Sequence, residues 1–411
     1  METLPPRCAG IDVHKKTAAA CARCAGAPPK GRREARTFST LTAGLLTLAD
    51  WLAERGATHV AMEPTGVYWV PVYHLPEGRF TLLLVNAQHV KQVPGRKAAV
   101  KDCQWLAELL QCGLLKASFV PPAPIRRLRD LTRQRGQLVG EKTAVANRTQ
   151  KVPGSANVKL ASVASAVPGA SGRGVLEALC GGTTGAAQLA DLARGRLRDK
   201  PPALRQALAG RMTEHHRFLL RTHLGHLGHP EEPIGRLGAR GEEVTAPFAQ
   251  AAQRLTAIPG VSQRVAETVA AEIGTDVNQF ATAGHLASRT GAWPGNNESA
   301  GKRQSGKATK GGRWPRTALA QAAWAGSHTR ETYLAARYQS LARRRGRKRA
   351  LIAVGHTLLV IVYHLLKDGT EYRGLGPDYL DRLQSERLPR QLVKRLEGLG
   401  HKVTLSPRPA A

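Results

Sequence analysis

Acidic residues are scarce in this chain: 30 Asp and Glu stand against 61 Lys and Arg, a formal net charge of +31. An excess of that size excludes an ordinary near-neutral surface and points to a polyanionic partner, most simply nucleic acid. A cationic membrane-surface protein would carry the same sign, but the sequence offers no lipidation signal and no strongly amphipathic basic helix. Cysteine is too sparse and too scattered for a disulfide framework: there are six, and Cys21-x-x-Cys24 has no second pair to complete a zinc site. The opening METLPPRCAG lacks the charged-then-apolar pattern of a signal peptide. Long apolar runs are missing too. The most apolar, 350–366, is short for a membrane span, carries His356 and His364, and follows the basic run 343–349, so a buried core helix is expected there. A reduced, cytoplasmic protein with no membrane partner is the expectation. What the chain does have is enough apolar residues, 42% of 411, to build cores for two or three domains.

The organising stretch is CAGIDVHKK at 8–16. It reads as a short apolar strand with one carboxylate, Asp12, in its middle and His14 on the same face two residues on. A carboxylate there is costly to bury unless it binds something, and a metal ion is the usual answer. The strands TAAACARC and REARTFST follow, joined by a Gly/Pro/Lys turn at 26–31. A helix at 41–55 has Leu45, Leu48 and Leu52 at helical spacing. A strand at 59–63, a short helix at 67–74, an apolar strand at 80–85 and a helix at 100–112 complete the series. Three strands, helix, strand, helix, strand, helix is the order of an RNase H-like α/β fold with a mixed sheet. In that order Asp12, Glu63 and Asp102 come from three separated segments toward one sheet end. Such an arrangement suits two-metal phosphoryl chemistry, with Mg²⁺ ions about 3.5–4 Å apart.

GIDVHKK, AMEPTGVYW, NAQHVKQVPGRK and VKDCQWLAELLQCGLLKASFVPP resemble the DEDD transposases of insertion sequences, a group that includes the pilin-gene invertases. The resemblance runs over almost the whole chain, through YHLLKDG at 363–369. It implies metal-binding and catalytic roles for Asp12, Glu63 and Asp102. It also implies two acids three residues apart on the last helix of the domain, but the first of these positions holds Ala99. One ligand short, a metal would be held more weakly. The family further implies that Ser299, five residues after Pro294 of a G-x-x-P stretch, is a nucleophile forming a covalent phosphoserine link to cut DNA. Lys302, Arg303, Lys307 and Lys310 are then candidates to stabilise transition-state charge. The implied partners are double-stranded DNA, an element-encoded guide RNA and a second or further copies of the chain, as homodimer or homotetramer. Pro315 stands where the family usually has Leu.

The middle, 124–250, is helix-prone and Arg-rich. Leu227, Ile234, Leu237 and Val244 mark a heptad-like seam suggesting a coiled coil between subunits. Gly225, Gly228, Pro230, Pro233, Gly235, Gly238 and Gly241 lie inside it, and at about 1 kcal/mol per Gly and 3 per Pro the seam is expected to be broken or frayed. His215, His216, His223, His226 and His229 rotate off any single helix face, so a solvated or nucleic-acid-facing helix fits them better than a metal site. LTAIPGVSQRVAETVAAEIG, at 255–274, resembles a helix-hairpin-helix whose Pro259-Gly260-Val261 turn and following helix start would meet a phosphate. From residue 299 to 350 there are 14 Lys/Arg and one acid, Glu331, so most of the phosphate-binding energy is expected there. The expected organisation is an RNase H-like domain at 1–123, a helical coiled-coil region at 124–250, a mostly α domain with the helix-hairpin-helix and the serine at 251–383, and a tail at 384–411. Three functions stay open: a transposase, a catalytically inactive nucleic-acid-binding remnant, and a metal-dependent junction nuclease that does not use Ser299.

Overall fold

The computed structural model describes residues 5–24, 32–87, 90, 102–164, 167, 169–199, 201–228, 230–291, 297–299, 301–305, 311–383, 385 and 387–406. The chain divides into two compact units, Met1–Pro121 and Pro122–Ala411.

In the first unit, β1 (Arg7–Val13), β2 (Thr17–Cys24) and β3 (Arg32–Ser39) form an antiparallel meander. Helix α1 (Thr42–Glu54) crosses to β4 (His59–Met62), and α2 (Trp69–His74) crosses to β5 (Thr81–Leu84). β4 runs parallel to β1 and β5 parallel to β4, giving the sheet order β3-β2-β1-β4-β5. Side chains alternate along the strands, so each face has its own core. Ala9, Ile11, Val13, Val60 and Met62 face α1, whose Leu45, Leu48 and Leu52 are buried at helical spacing. Cys8 and Ala61 face the other way and pack on Leu110 of α3 (Asp102–Gln111). After α3 the chain returns along the sheet edge, where Val85 bridges Ala117 and Ser118 N donates to Leu84 O at 2.6 Å. The elements follow the order expected from sequence, with ends shifted by a residue or two.

The second unit is helical. Its spine is α4 (Ala123–Ser155), 33 residues long, with Pro153 tolerated in its last turn. Helices α5 (Leu160–Val163), α6 (Ala170–Cys180), α7 (Ala186–Asp191) and α8 (Pro201–Leu208) close a separate core of Val175, Leu176, Leu179, Leu189, Leu204 and Leu208. Helices α9 (Glu214–Gly228) and α10 (Glu231–Thr245) then pack on α4. Here the expected break falls between the end of α9 at Gly228 and the start of α10 at Glu231. Helix α10 runs on through Gly235, Gly238 and Gly241, because tertiary packing outweighs helix propensity. Buried Leu227 and half-buried Ile234, Leu237 and Val244 belong to elements that pack on α4 of the same chain.

Two short helices, α11 (Ala249–Thr256) and α12 (Gln263–Ile273), lead to α13 (Ala283–Thr290). A small hairpin of β6 (Asn297–Ser299) and β7 (Lys302–Ser305) follows. Helices α14 (Arg313–Ser327), α15 (Tyr333–Arg345) and α16 (Arg347–Asp368) pack on one another. By length and composition alone α16 could cross a membrane. Its Val354, Leu358, Leu359 and Val362 are buried against neighbouring helices, as expected of a core helix. After α17 (Tyr379–Arg382), α18 (Arg387–Glu397) carries exposed Leu392 and Leu396 among Arg390, Lys394 and Arg395. That is a basic amphipathic helix, at the place where the tail's leucine spacing suggests one.

Candidate active site

The register of β1 and β4 puts Cys8, Ala9, Gly10 and Ile11 beside His59, Val60, Ala61 and Met62. One step further, Asp12 comes level with Glu63, just past the end of β4. In parallel strands residues at one level point to one face, and neighbouring strands lie about 4.8 Å apart. That face is the one covered by α3. An added Cβ on Gly10 would lie 2.3 Å from Cys103 O and 2.5 Å from Ala107 N, so glycine is what lets the helix lie on β1.

The direction of α3 follows from its contacts. Cys8 Sγ donates to Ala107 O at 3.5 Å and packs with Leu110, whereas Gly10 faces 103–107. Helix α3 therefore runs antiparallel to β1. Two strand residues span about 6.8 Å, or roughly four to five helix residues, which brings the start of α3, Asp102, to the level of Asp12. Three carboxylates thus come from three elements to one end of one face. Ala99, where the resemblance implies a further acid, lies outside the described residues.

As donors, three carboxylates suit a hard divalent cation. The side chains as they stand are more dispersed: among the described residues no three His, Cys, Asp or Glu side chains gather into a group that could hold a metal. Asp12, its side chain 24% exposed, has Oδ2 3.2 Å from His14 Nε2. Glu63 is half-buried and opens a turn in which Thr65 N donates to Glu63 O at 3.0 Å, with Gly66 at φ +55°. The turn carries two exposed side chains, Val67 and Tyr68. The cysteines of this face are not ligands in waiting. Burial pushes the thiols of Cys8 and Cys21 up to about 11, which keeps them protonated and inert.

In the second unit Ser299 ends β6 and pairs in register with Lys302 of β7, and Glu298 pairs with Arg303. Gly301, at φ +74°, makes the turn between them. Lys302 is exposed, while Lys307 and Lys310 lie outside the described residues. Gly291 and Gly311, which bound the segment holding this hairpin, meet. An added Cβ on Gly311 would stand 2.1 Å from Gly291 N, so the two backbones touch. The pinch is held between the C-cap of α13, where Gly291 is left-handed, and the start of α14. Trp314 fixes that start by packing over Gly136 of α4, and Pro315 is buried.

The Pro259-Gly260-Val261 turn joins α11 to α12, as the sequence suggests, but its glycine has a partner within the protein. An added Cβ on Gly260, at φ +87°, would lie 2.3 Å from Gly326 N and 2.4 Å from Ala322 O of α14. Val261 is buried and Ser262 Oγ accepts from Val265 N. At the far end of α12, Arg133 holds buried Glu272 through two hydrogen bonds of 2.6 and 2.9 Å. Arg129 donates to the carbonyls of Ala271 and Glu272, and its burial pulls it down to about 10, against the attraction of Glu272. Sequence reasoning missed these arginines, since their signal is spread over some 140 residues.

Two family models match the chain. A transposase family of the DEDD type found in IS110 elements matches residues 9–152. A family described as transposase IS116/IS110/IS902 matches residues 252–339. No curated protein matches the chain.

Proposed function

From the premise that the chain belongs to the IS110 family of transposases and is a DNA transposase, we propose that it cuts and rejoins DNA through Ser299, with Asp12, Glu63 and Asp102 as its metal-binding carboxylates. The observation that carries this reading is the shared level and face of Asp12 and Glu63 on adjacent parallel strands, beneath the start of α3. Bound there, Mg²⁺ would neutralise phosphate charge and favour displacement at phosphorus.

The Ser299 hydroxyl attacks the phosphorus of one phosphodiester. An Oγ–P bond forms, the bond from phosphorus to the leaving sugar oxygen breaks, and the serine proton is passed on as the sugar hydroxyl is released. The phosphoserine diester keeps the energy of the broken bond, so a hydroxyl of another strand can reverse the step and reseal the DNA. Lys302, Arg303, Lys307 and Lys310 stabilise the developing charge. The Pro259-Gly260-Val261 turn supports the frame through its contact with α14 and is a lesser candidate for phosphate binding. A guide RNA, which the charge of +31 suits, and assembly into a dimer or tetramer belong to the same reading.

Ala99 sets the level of activity. With one acid fewer, the ion is held by less negative charge, and Ala99→Asp is expected to raise covalent adduct yield more than about tenfold. In that background Ser299→Ala should abolish adducts while leaving DNA binding intact. Adducts are read by denaturing gel after incubation with donor and target DNA, guide RNA and Mg²⁺. Cleavage without adducts in both chains would favour the junction nuclease. DNA binding with neither cleavage nor adducts, even with Asp at 99, would favour the binding remnant, the reading that Ala99 itself supports.

A further inference from the structure

The densest charge in the chain is the elbow RRRGRKR at 343–349, where α15 ends and α16 begins on either side of Gly346. Arg343, Arg344, Arg345, Arg347, Lys348 and Arg349 are all exposed. Among the described residues none of the six makes an ion pair, whereas Arg55, Arg133, Arg173, Arg221 and Arg264 each meet a glutamate. Their placement is not explained by the fold. Arg343, Arg344 and Arg345 suit the negative end of α15, but Arg347, Lys348 and Arg349 occupy the first turn of α16, the positive end of its dipole. No acid stands in that turn and no side chain caps it. Three like charges there repel one another and the helix dipole, and a bound anion would relieve them.

The elbow shares one end of the helical unit with the base of the Ser299 excursion. Helices α15 and α16 are linked by Gly346 alone, and α14 and α15 by 328–332. Such short links make packed neighbours antiparallel, so α14 and α16 run the same way. Gly355 faces Leu319, with an added Cβ 3.6 Å from Leu319 O. Leu319 is about 9 Å along α14 from its start, and Gly355 about 12 Å along α16, at 1.5 Å per residue. The two helix starts are therefore level within one turn, and packed axes lie about 8–10 Å apart. The elbow lies beside Arg313 and the Gly291–Gly311 pinch.

We propose that the 343–349 elbow is a docking surface for the phosphate backbone of double-stranded DNA, flanking the point from which the Ser299 excursion leaves the frame. It deepens the transposase reading and rests on it for the choice of DNA. A single-stranded RNA would be gripped by stacking on aromatic side chains, and the elbow has none. Dense, unpaired, long basic side chains match a surface that carries one charge per about 1.7 Å.

The test uses the full chain with Arg347→Gln, Lys348→Gln and Arg349→Gln together, titrated against a 30-base-pair DNA duplex and an RNA duplex of equal length. At about 0.1 M salt, DNA affinity should fall about 10- to 100-fold, and the slope of log affinity against log salt should shrink by about 2–3. A control losing three ion-paired cations, Arg173→Gln, Arg236→Gln and Arg240→Gln, should change affinity by less than about threefold. The thermal midpoint of the elbow variant should hold or rise; if that variant fails to fold, Arg343→Gln with Arg344→Gln reads the same surface from α15. Unchanged DNA affinity and slope overturn the proposal, as does a loss confined to the RNA duplex. Adducts scored on the same chains in the Ala99→Asp background separate it from the serine reading: no adduct even there, with the expected affinity loss, removes the serine and leaves the elbow.

Discussion

Gly10 does at the residue scale what the acids cannot do for themselves. It lets α3 lie on β1 closely enough for Asp102 to reach the level of Asp12. The two nearest atoms that an added Cβ would meet, Cys103 O and Ala107 N, are backbone, and backbone in a helix cannot turn aside. Gly10→Ala is therefore expected to cost at least about 1–3 kcal/mol and to move Asp102 away from its sheet. Urea midpoint and adduct yield should fall together, the yield by more than the midpoint implies. The strand placement of Asp12 and Glu63 was legible in the sequence, because a lone carboxylate in an apolar strand breaks the period of 2 and a second closes a strand four elements later. The need for Gly10 was not, since its partner lies more than 90 residues away. Gly260 shows the same limit: the turn was visible, but a glycine chosen for α14 reads no differently from one chosen for a phosphate.

At the element scale, α10 shows how far packing overrules propensity. Its register against α4 survives three glycines, and the heptad-like spacing marked the inward side correctly while saying nothing of what lies opposite. An in-chain partner and a second subunit leave the same pattern. Gly235 has nothing within 4 Å of an added Cβ, so Gly235→Ala should stabilise the chain by about 1 kcal/mol, seen as a higher urea midpoint with unchanged slope. The β6–β7 hairpin was hidden for a different reason. Its strands are three and four residues long and polar, too short to show an alternation. Pro153 and Gly154 fall in the last turn of α4, where a lost hydrogen bond matters least.

At the scale of the whole molecule, the first unit is complete in itself: a five-stranded sheet, helices on both faces and a return segment that seals the β5 edge. A fragment ending at residue 121 is expected to unfold in one cooperative transition, seen as coincident far-UV and tryptophan signals. The mixed α/β class of this unit was legible from the order of its elements. The unity of everything after it was not, since α4 ties the middle to the last helices through Glu272 and Trp314 rather than through any local signal. The pinch at Gly291 and Gly311 has a further consequence, for how such a protein can diversify. Because the two ends of that segment meet at one backbone contact, lengthening it changes only a weakly length-dependent closure entropy. The segment between them can thus change in length from one sequence to another while α13 and α14 keep their places.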